Sequence, residues 1–245
     1  MTDANRRVTA SLAALDPAQV LANAAVVLAQ HNLAQDPWTT DLGIPIEPTR
    51  RPLAAYLGEV LAARERGEAR PSLLTSGPMV LVAEPDTVWF PLPPTTVDAC
   101  MALIDDLTTA VDAYHAHVED DRFLLLYQSH RATERARAAV PEEYRHYIPE
   151  PPESDDLPHL LVPEEYDTRC VPPGVWWVNY WDTTQLATIG EDRVRAAPWA
   201  RLRQAARGGL LLAATEEPTD LAHVTTLREL VADLRLPALQ ERHRR

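Results

Sequence analysis

The chain has 245 residues with 23 basic and 36 acidic side chains, and every one of the 23 is arginine. With 46% apolar residues, 24% charged residues and only 8 glycines against 22 prolines, the composition is that of a globular protein, not a fibrous or disordered one. The absence of lysine excludes Schiff-base catalysis, a pyridoxal phosphate anchor and a phosphate-loop lysine.

A coding bias toward arginine, alanine and proline accounts for the missing lysine; selection against tagging for degradation is the alternative. A net charge of −13 repels phosphate backbones and anionic lipid surfaces, so neither nucleic acid nor membrane is expected as a partner, whereas a basic protein is favoured. No run of ~18 apolar residues is present, the longest candidates being 79–83 and 210–214. Arg6 and Arg7 precede an apolar run broken by Thr9, Ser11 and Asp16-Pro17, too weak for a signal peptide, which makes the cytoplasm the expected location. Cys100 and Cys170 match no metal or redox spacing and read as reduced thiols.

In chain order, Asp16-Pro17 caps a helix whose apolar positions Val20, Leu21, Ala24, Ala25 and Leu28 repeat to about Asn32. A second helical pattern runs from Leu53 to Gly67. Segments 79–83 and 87–90 read as a hairpin around Glu84-Pro85-Asp86. A long helix is expected from Thr95 or Thr96, with Val97, Cys100, Met101, Ile104, Leu107, Val111, Tyr114 and Val118 on one stripe. Residues 123–127 read as a strand and 133–140 as a short helix ended by Pro141.

Between Pro141 and Arg169 the chain carries nine acidic residues and six prolines against Arg145 and Arg169, which marks a connector or binding element. Further on, 175–181 reads as a strand, 183–189 as a helix, 194–207 as a second helix, 210–214 as a strand and 224–234 as a closing helix. Without a regular βαβ rhythm the expected fold is α+β, a mixed or antiparallel sheet with helices packed on it. One domain spanning 1–245 is expected, with a possible sub-boundary in the acidic, Pro-rich stretch 141–172.

Among chemistry-bearing residues, His115, His117, Glu119, Asp120 and Asp121 form the richest cluster, and His117-Val-Glu119 matches half of a zinc deaminase signature. The Pro-Cys-x-x-Cys half is missing, and on a helix His115 and His117 point about 200° apart, so the cluster reads as a solvated helix end and no metal or cofactor is expected. Thr75-Ser76-Gly77 is not a nucleophile elbow, Ser129-His130 shows no triad spacing, and Gly208-Gly209 precedes a strand where a turn is needed. The carboxylate pairs Asp105-Asp106, Glu142-Glu143 and Glu216-Glu217 are chain neighbours without cleft geometry, so no catalytic residue is assigned.

Strand alternation across Pro173-Gly-Val-Trp-Trp-Val-Asn-Tyr-Trp181 sends Val175, Trp177, Asn179 and Trp181 to one face and Trp176, Val178 and Tyr180 to the other. A central strand buried on both sides is the plain reading, and an exposed interface ring the alternative. This strand, followed by Leu186-Ala-Thr-Ile-Gly190, Gly208-Gly-Leu-Leu-Leu212 and Thr215-Glu-Glu-Pro218, resembles the C-terminal part of bacterial immunity proteins of polymorphic and type VI secretion toxin systems.

The resemblance implies an α+β protein, monomeric or in a small homo-oligomer, that binds and neutralises a cognate protein toxin without catalysis. The acidic excess nominates Glu119, Asp120, Asp121, Glu150, Glu153, Asp155, Asp156, Glu164 and Glu165 for contact with a basic toxin surface, while Trp176, Trp177, Tyr180 and Trp181 are structural. Two alternatives stay open: a metal-dependent enzyme using His115, His117, Glu119 and Asp121, and a phage- or secretion-related assembly protein.

Overall fold

A computed structural model describes residues 6–12, 17–34, 38–40, 49–51, 73–76, 79–83, 86–120, 141–142, 160–218 and 221–245. The expected elements at 53–67, 123–127 and 133–140 lie outside these residues, as do Asp121, Glu150, Glu153, Asp155 and Asp156.

Ten strands build one sheet: β1 (Arg6–Leu12), β2 (Trp38–Thr40), β3 (Thr49–Arg51), β4 (Leu73–Ser76), β5 (Met79–Ala83), β6 (Thr87–Leu92), β7 (Ala113–Asp120), β8 (Val178–Trp181), β9 (Arg201–Gln204) and β10 (Leu210–Ala213). Their order is β3-β2-β4-β5-β6-β1-β7-β8-β10-β9, and every pairing is antiparallel. The fold is α+β as expected, with the sheet antiparallel. β1 lies at its centre between β6 and β7 and buries Val8, Ala10 and Leu12 at the period of two that a strand imposes.

One face of the sheet is covered by helices α1 (Pro17–Gln30) and α2 (Val97–Ala110), which share a core with Val8, Phe90, Val118 and Tyr180. Asn23 Nδ2 donates to Ala110 O at 2.8 Å and His31 meets Asp106 at 2.8 Å, which ties the two helices together. The other face, over β7, β8 and β10, is covered by residues 160–176 and by helices α3 (Thr183–Ile189), α4 (Glu191–Ala196), α5 (Leu221–Asp233) and α6 (Leu236–Arg242). Their apolar residues form a second core around Tyr166, Trp176 and Trp181.

Three expected elements are corrected. The helix expected to carry Tyr114 and Val118 stops at Ala110: Asp112 takes a left-handed φ of 54°, which aspartate tolerates, and the chain continues as β7. The helical stripe Val111, Tyr114, Val118 coincides with a strand pattern in which Ala116 and Val118 face one core and His115 and His117 the other. The helix expected over 194–207 is instead α4 followed by β9, because Pro198 constrains the residue before it and closes the α4 turn.

The strand expected from Val175 pairs only from Val178. Asn179 Oδ1 accepts from Trp176 N at 2.9 Å and Nδ2 donates to Trp176 O at 2.8 Å, folding the chain back on itself. Trp176 and Trp177 therefore exchange the faces that simple alternation gives them, Trp177 joining the first core and Trp176 the second. All four aromatic residues are buried, at 5% exposure or less, which leaves none of them as an exposed anchor.

Candidate functional site

The β7 residues His115, His117 and Glu119 point to one face of the sheet. On β1, Arg7 is in register with Glu119, and on β8, Asn179 and Trp181 are in register with His117 and His115. The side chains form a continuous polar row in an otherwise apolar layer. Arg7 Nε lies 3.3 Å from Glu119 Oε1, Glu119 Oε2 lies 3.5 Å from His117 Nε2, and His117 Nδ1 lies 3.1 Å from His115 Nε2. The His117 ring stacks on Trp176, centroids 4.8 Å apart and planes 17° apart, and the Arg7 guanidinium sits 5.2 Å above the Trp89 ring.

His115, His117 and Glu119 are 1%, 7% and 5% exposed, which corrects the reading of this cluster as a solvated helix end. Being on a strand, the two imidazoles share a face, where a helix would have separated them. Glu119, nominated for contact with a basic partner, is instead engaged by Arg7 and His117, a use that fits the high cost of burying an unpaired carboxylate. Asp120 ends β7, and Asp121 lies beyond the described residues. Among the described residues no group of three or more His, Cys, Asp or Glu side chains is arranged to hold a metal ion.

Burial holds the His115 imidazole well below its ordinary value, and a charge on His117 pushes it further down. Burial raises the Glu119 carboxyl, but His117 and Arg7 outweigh it and keep the group below its ordinary value. The signs agree for stability. Unfolded His115 takes up a proton below pH ~6.5 that the folded state resists, so its stabilising effect is present above that pH and lost as pH falls. Glu119 stabilises above its unfolded value and loses that contribution as pH falls through its lower folded one. The urea midpoint is therefore expected to drop from pH 7 to pH 5, and His115→Gln to flatten that slope. A slope unchanged in the variant would place the acid sensitivity elsewhere.

The acidic connector meets the rest of the molecule at its C-terminal end. Glu164 is exposed within a single 3-10 turn (Pro163–Glu165), whereas Glu165 caps that turn by accepting from Val162 N at 3.1 Å and lies 3.7 Å from Arg244. Asp167 pairs with Arg245 at 3.9 Å, and Tyr166 bridges to the backbone of Arg244. The basic C-terminal tail thus neutralises part of the acidic stretch, a pairing of distant segments that net charge does not reveal.

A further polar cleft of about 240 Å³ opens between the start of β7 and the β9–β10 turn, lined by Asp112, Tyr114, Tyr180, Asp182 and Arg207 among others. Its charges are already committed. Arg207 pairs with Asp112 and donates to Thr108 O at 3.0 Å, while Asp182, raised by burial, caps α3 by accepting from Gln185 N at 2.9 Å. Asp98, Asp105 and Asp112 recur every seven residues and meet Arg201, Arg203 and Arg207 of the same hairpin, at 4.0 Å and 3.6 Å for the first two pairs. This ladder docks the hairpin against α2. Cys100 is buried and its thiol is pushed up to about 12, which makes it inert, and both cysteines are free thiols.

The fold and this interior define an α+β protein with one long antiparallel sheet, helices on both faces and a polar row locked beneath one of them. Residues 90–243, well over half of the chain, match the family model described as "Domain of unknown function (DUF5953)", and the chain belongs to that family. No curated protein matches it. Among solved structures it is similar to "Pseudomonas aeruginosa T6SS protein PA0821", with a TM-score of 0.52 and 11% sequence identity over 95% of this chain and 73% of that chain. At that identity the likeness is one of fold. No helix among the described residues is long and apolar enough to cross a membrane.

Proposed function

We propose that the chain is an immunity-type protein of a type VI secretion toxin system, which binds a cognate protein toxin and neutralises it by non-covalent inhibition. The observation that carries this reading is the fold shared with a T6SS protein across 95% of the chain. It joins the resemblance of the C-terminal third, Pro173 to Leu234, to immunity proteins.

Two physical features support it. The sequence cluster best suited to catalysis is enclosed: His115, His117 and Glu119 are each less than 8% exposed and contact one another and Arg7, so no substrate reaches them without opening the second core. The net charge of −13 suits a basic toxin surface, where long-range attraction raises the association rate. The contact charge comes from Glu150, Glu153, Asp155, Asp156 and the exposed Glu164, with Glu119 and Glu165 serving internal pairs instead. The toxin is met in the cytoplasm of the producing cell.

Neutralising the connector with Glu150→Gln, Glu153→Gln, Asp155→Asn and Asp156→Asn together is expected to slow association with the toxin about tenfold or more at low salt and to flatten its dependence on ionic strength. Stopped-flow mixing at several salt concentrations measures both. Unchanged association rates would remove the connector from the interface.

A further inference from the structure

Residues 165–167 form a short strand edge that is already occupied by a basic segment of the same chain. Tyr166 pairs with Arg244 in antiparallel register, flanked by two backbone hydrogen bonds: Arg245 N donates to Glu165 O at 3.0 Å, and Asp167 N to His243 O at 3.1 Å. The Arg244 and Arg245 guanidinium groups lie toward the carboxylates of Glu165 and Asp167. An arginine-rich segment is thus held as an added strand, the backbone supplying the pairing and the two carboxylates the preference for cations.

The edge has supports of its own. Tyr166 is fully buried in the second core, and Gln240 ties down both ends of the surrounding segment, accepting from Leu161 N at 2.8 Å and donating to Pro172 O at 3.1 Å. Each carboxylate is also held by its neighbours in sequence. Glu165 Oε2 accepts from Val162 N at 3.1 Å, Asp167 Oδ1 from Arg169 N at 3.0 Å, and Asp167 Oδ2 from the Cys170 thiol at 3.6 Å. Groups fixed in this way lose little freedom when a cation arrives.

The occupant is seated more loosely than the edge. Arg244 Nη2 lies 3.7 Å from Glu165 and Arg245 Nη2 3.9 Å from Asp167, and the Arg244 guanidinium is shared with Glu241 at 3.2 Å. The two arginine side chains are 52% and 61% exposed, and solvent-exposed ion pairs of this kind contribute little.

We propose that residues 243–245 are an internal stand-in for a basic, extended segment of a partner, which displaces them and pairs with 165–167 in their place. The tail is an autoinhibitory contact: it covers the edge until a segment that makes closer cationic contacts replaces it. That the partner is the toxin rests on the proposed function; the exchange itself does not. Glu164, exposed beside the edge, and the four carboxylates of 150–156 upstream in sequence draw such a segment in. A tethered segment competes at an effective concentration on the order of millimolar, so the tail keeps out weak binders and yields to stronger ones.

The test needs no toxin. A synthetic peptide with the sequence of residues 241–245 is titrated at low salt into the ¹⁵N-labelled full chain, and binding is read from the backbone amide signals of Tyr166 and Asp167. Arg244→Glu with Arg245→Glu repels the tail from the edge, and this form is expected to bind the peptide about tenfold or more tightly than the unaltered chain. Adding Glu165→Gln and Asp167→Asn, which keep the acceptor oxygens but remove the charge, is expected to abolish the binding. Equal affinity in the opened and unaltered chains, no binding to the opened one, or binding that survives loss of both carboxylates would each overturn the exchange. A second measurement uses the unaltered chain alone. Relative to their intrinsic rates, the Asp167 amide hydrogen is expected to exchange about tenfold or more faster than that of Leu161, which Gln240 holds. Equal protection would make the tail a fixed part of the fold and overturn the proposal too. Failure on either count leaves inhibition of a toxin by this chain, which is measured separately, unaffected.

Discussion

Replacing Trp181 with alanine is expected to destabilise the protein by about 4 kcal/mol, roughly a thousandfold in the unfolding equilibrium. The ring is fully buried on β8, packs edge-on against Trp199 with centroids 5.6 Å apart, and sits in the core that holds Leu186, Leu210 and Leu227. Its indole N–H has no hydrogen-bond partner among the described residues, so the loss is one of packing and cavity formation, not of hydrogen bonding. Urea denaturation checks it. A cost under about 1.5 kcal/mol would mean that the site collapses around the deletion and that Trp181 does not organise this core.

The second large effect is expected at the β9–β10 turn, where two adjacent glycines look equivalent in sequence and are not. Both take positive φ, 87° at Gly208 and 82° at Gly209. A Cβ on Gly208 meets only Thr183 Cγ2 at 3.6 Å, whereas one on Gly209 falls 2.3 Å from Trp181 O and 3.0 Å from Asp182 Cα. Gly208→Ala carries the left-handed backbone penalty alone, about 1 kcal/mol; Gly209→Ala adds a collision with the backbone of the neighbouring strand and is expected to cost about 3 kcal/mol or more. Parallel thermal melts compare the two. Equal losses would show that the β8–β10 backbones can part locally at no cost.

The elements that were legible in the sequence are those whose pattern has one physical solution. Proline at the start of α1 and Thr96 at the start of α2, whose hydroxyl accepts from Ala99 N at 3.3 Å, signal helix entry locally. The hairpin formed by β5 and β6 follows from two β-rich runs around a proline-containing turn. Failures occurred where two periods coincide or where a distant partner decides. Val111, Tyr114 and Val118 fit a helix stripe, and nothing local announces that Asp112 turns left-handed. β1 was hidden because Arg6-Arg7 followed by Val8, Ala10 and Leu12 fits a failed leader as well as a strand, and only pairing with β6 and β7 decides. The side-chain clamp by which Asn179 holds Trp176 overrides strand alternation in a way that residue parity cannot express.

The polar row was legible in part. Sequence spacing singled out His115, His117 and Glu119, but the helix assumed for them separated the rings that β7 brings to 3.1 Å. Arg7 joins the row from 108 residues before His115 in sequence, so no local signal marks it. Charge counting likewise found the acidic connector but not that Arg244 and Arg245 fold back onto Glu165 and Asp167. Under the proposed function the stretch offered to a partner runs from Glu150 to Asp156, which carries four carboxylates and no arginine in its sequence.

The most direct measurement is calorimetric titration of the purified chain into the toxin encoded beside its gene, with toxin activity followed across the same series. A saturable complex of fixed stoichiometry, in which activity falls in proportion to the toxin bound, is the predicted result. No complex, or inactivation of many toxin molecules by each copy of this chain, would contradict it.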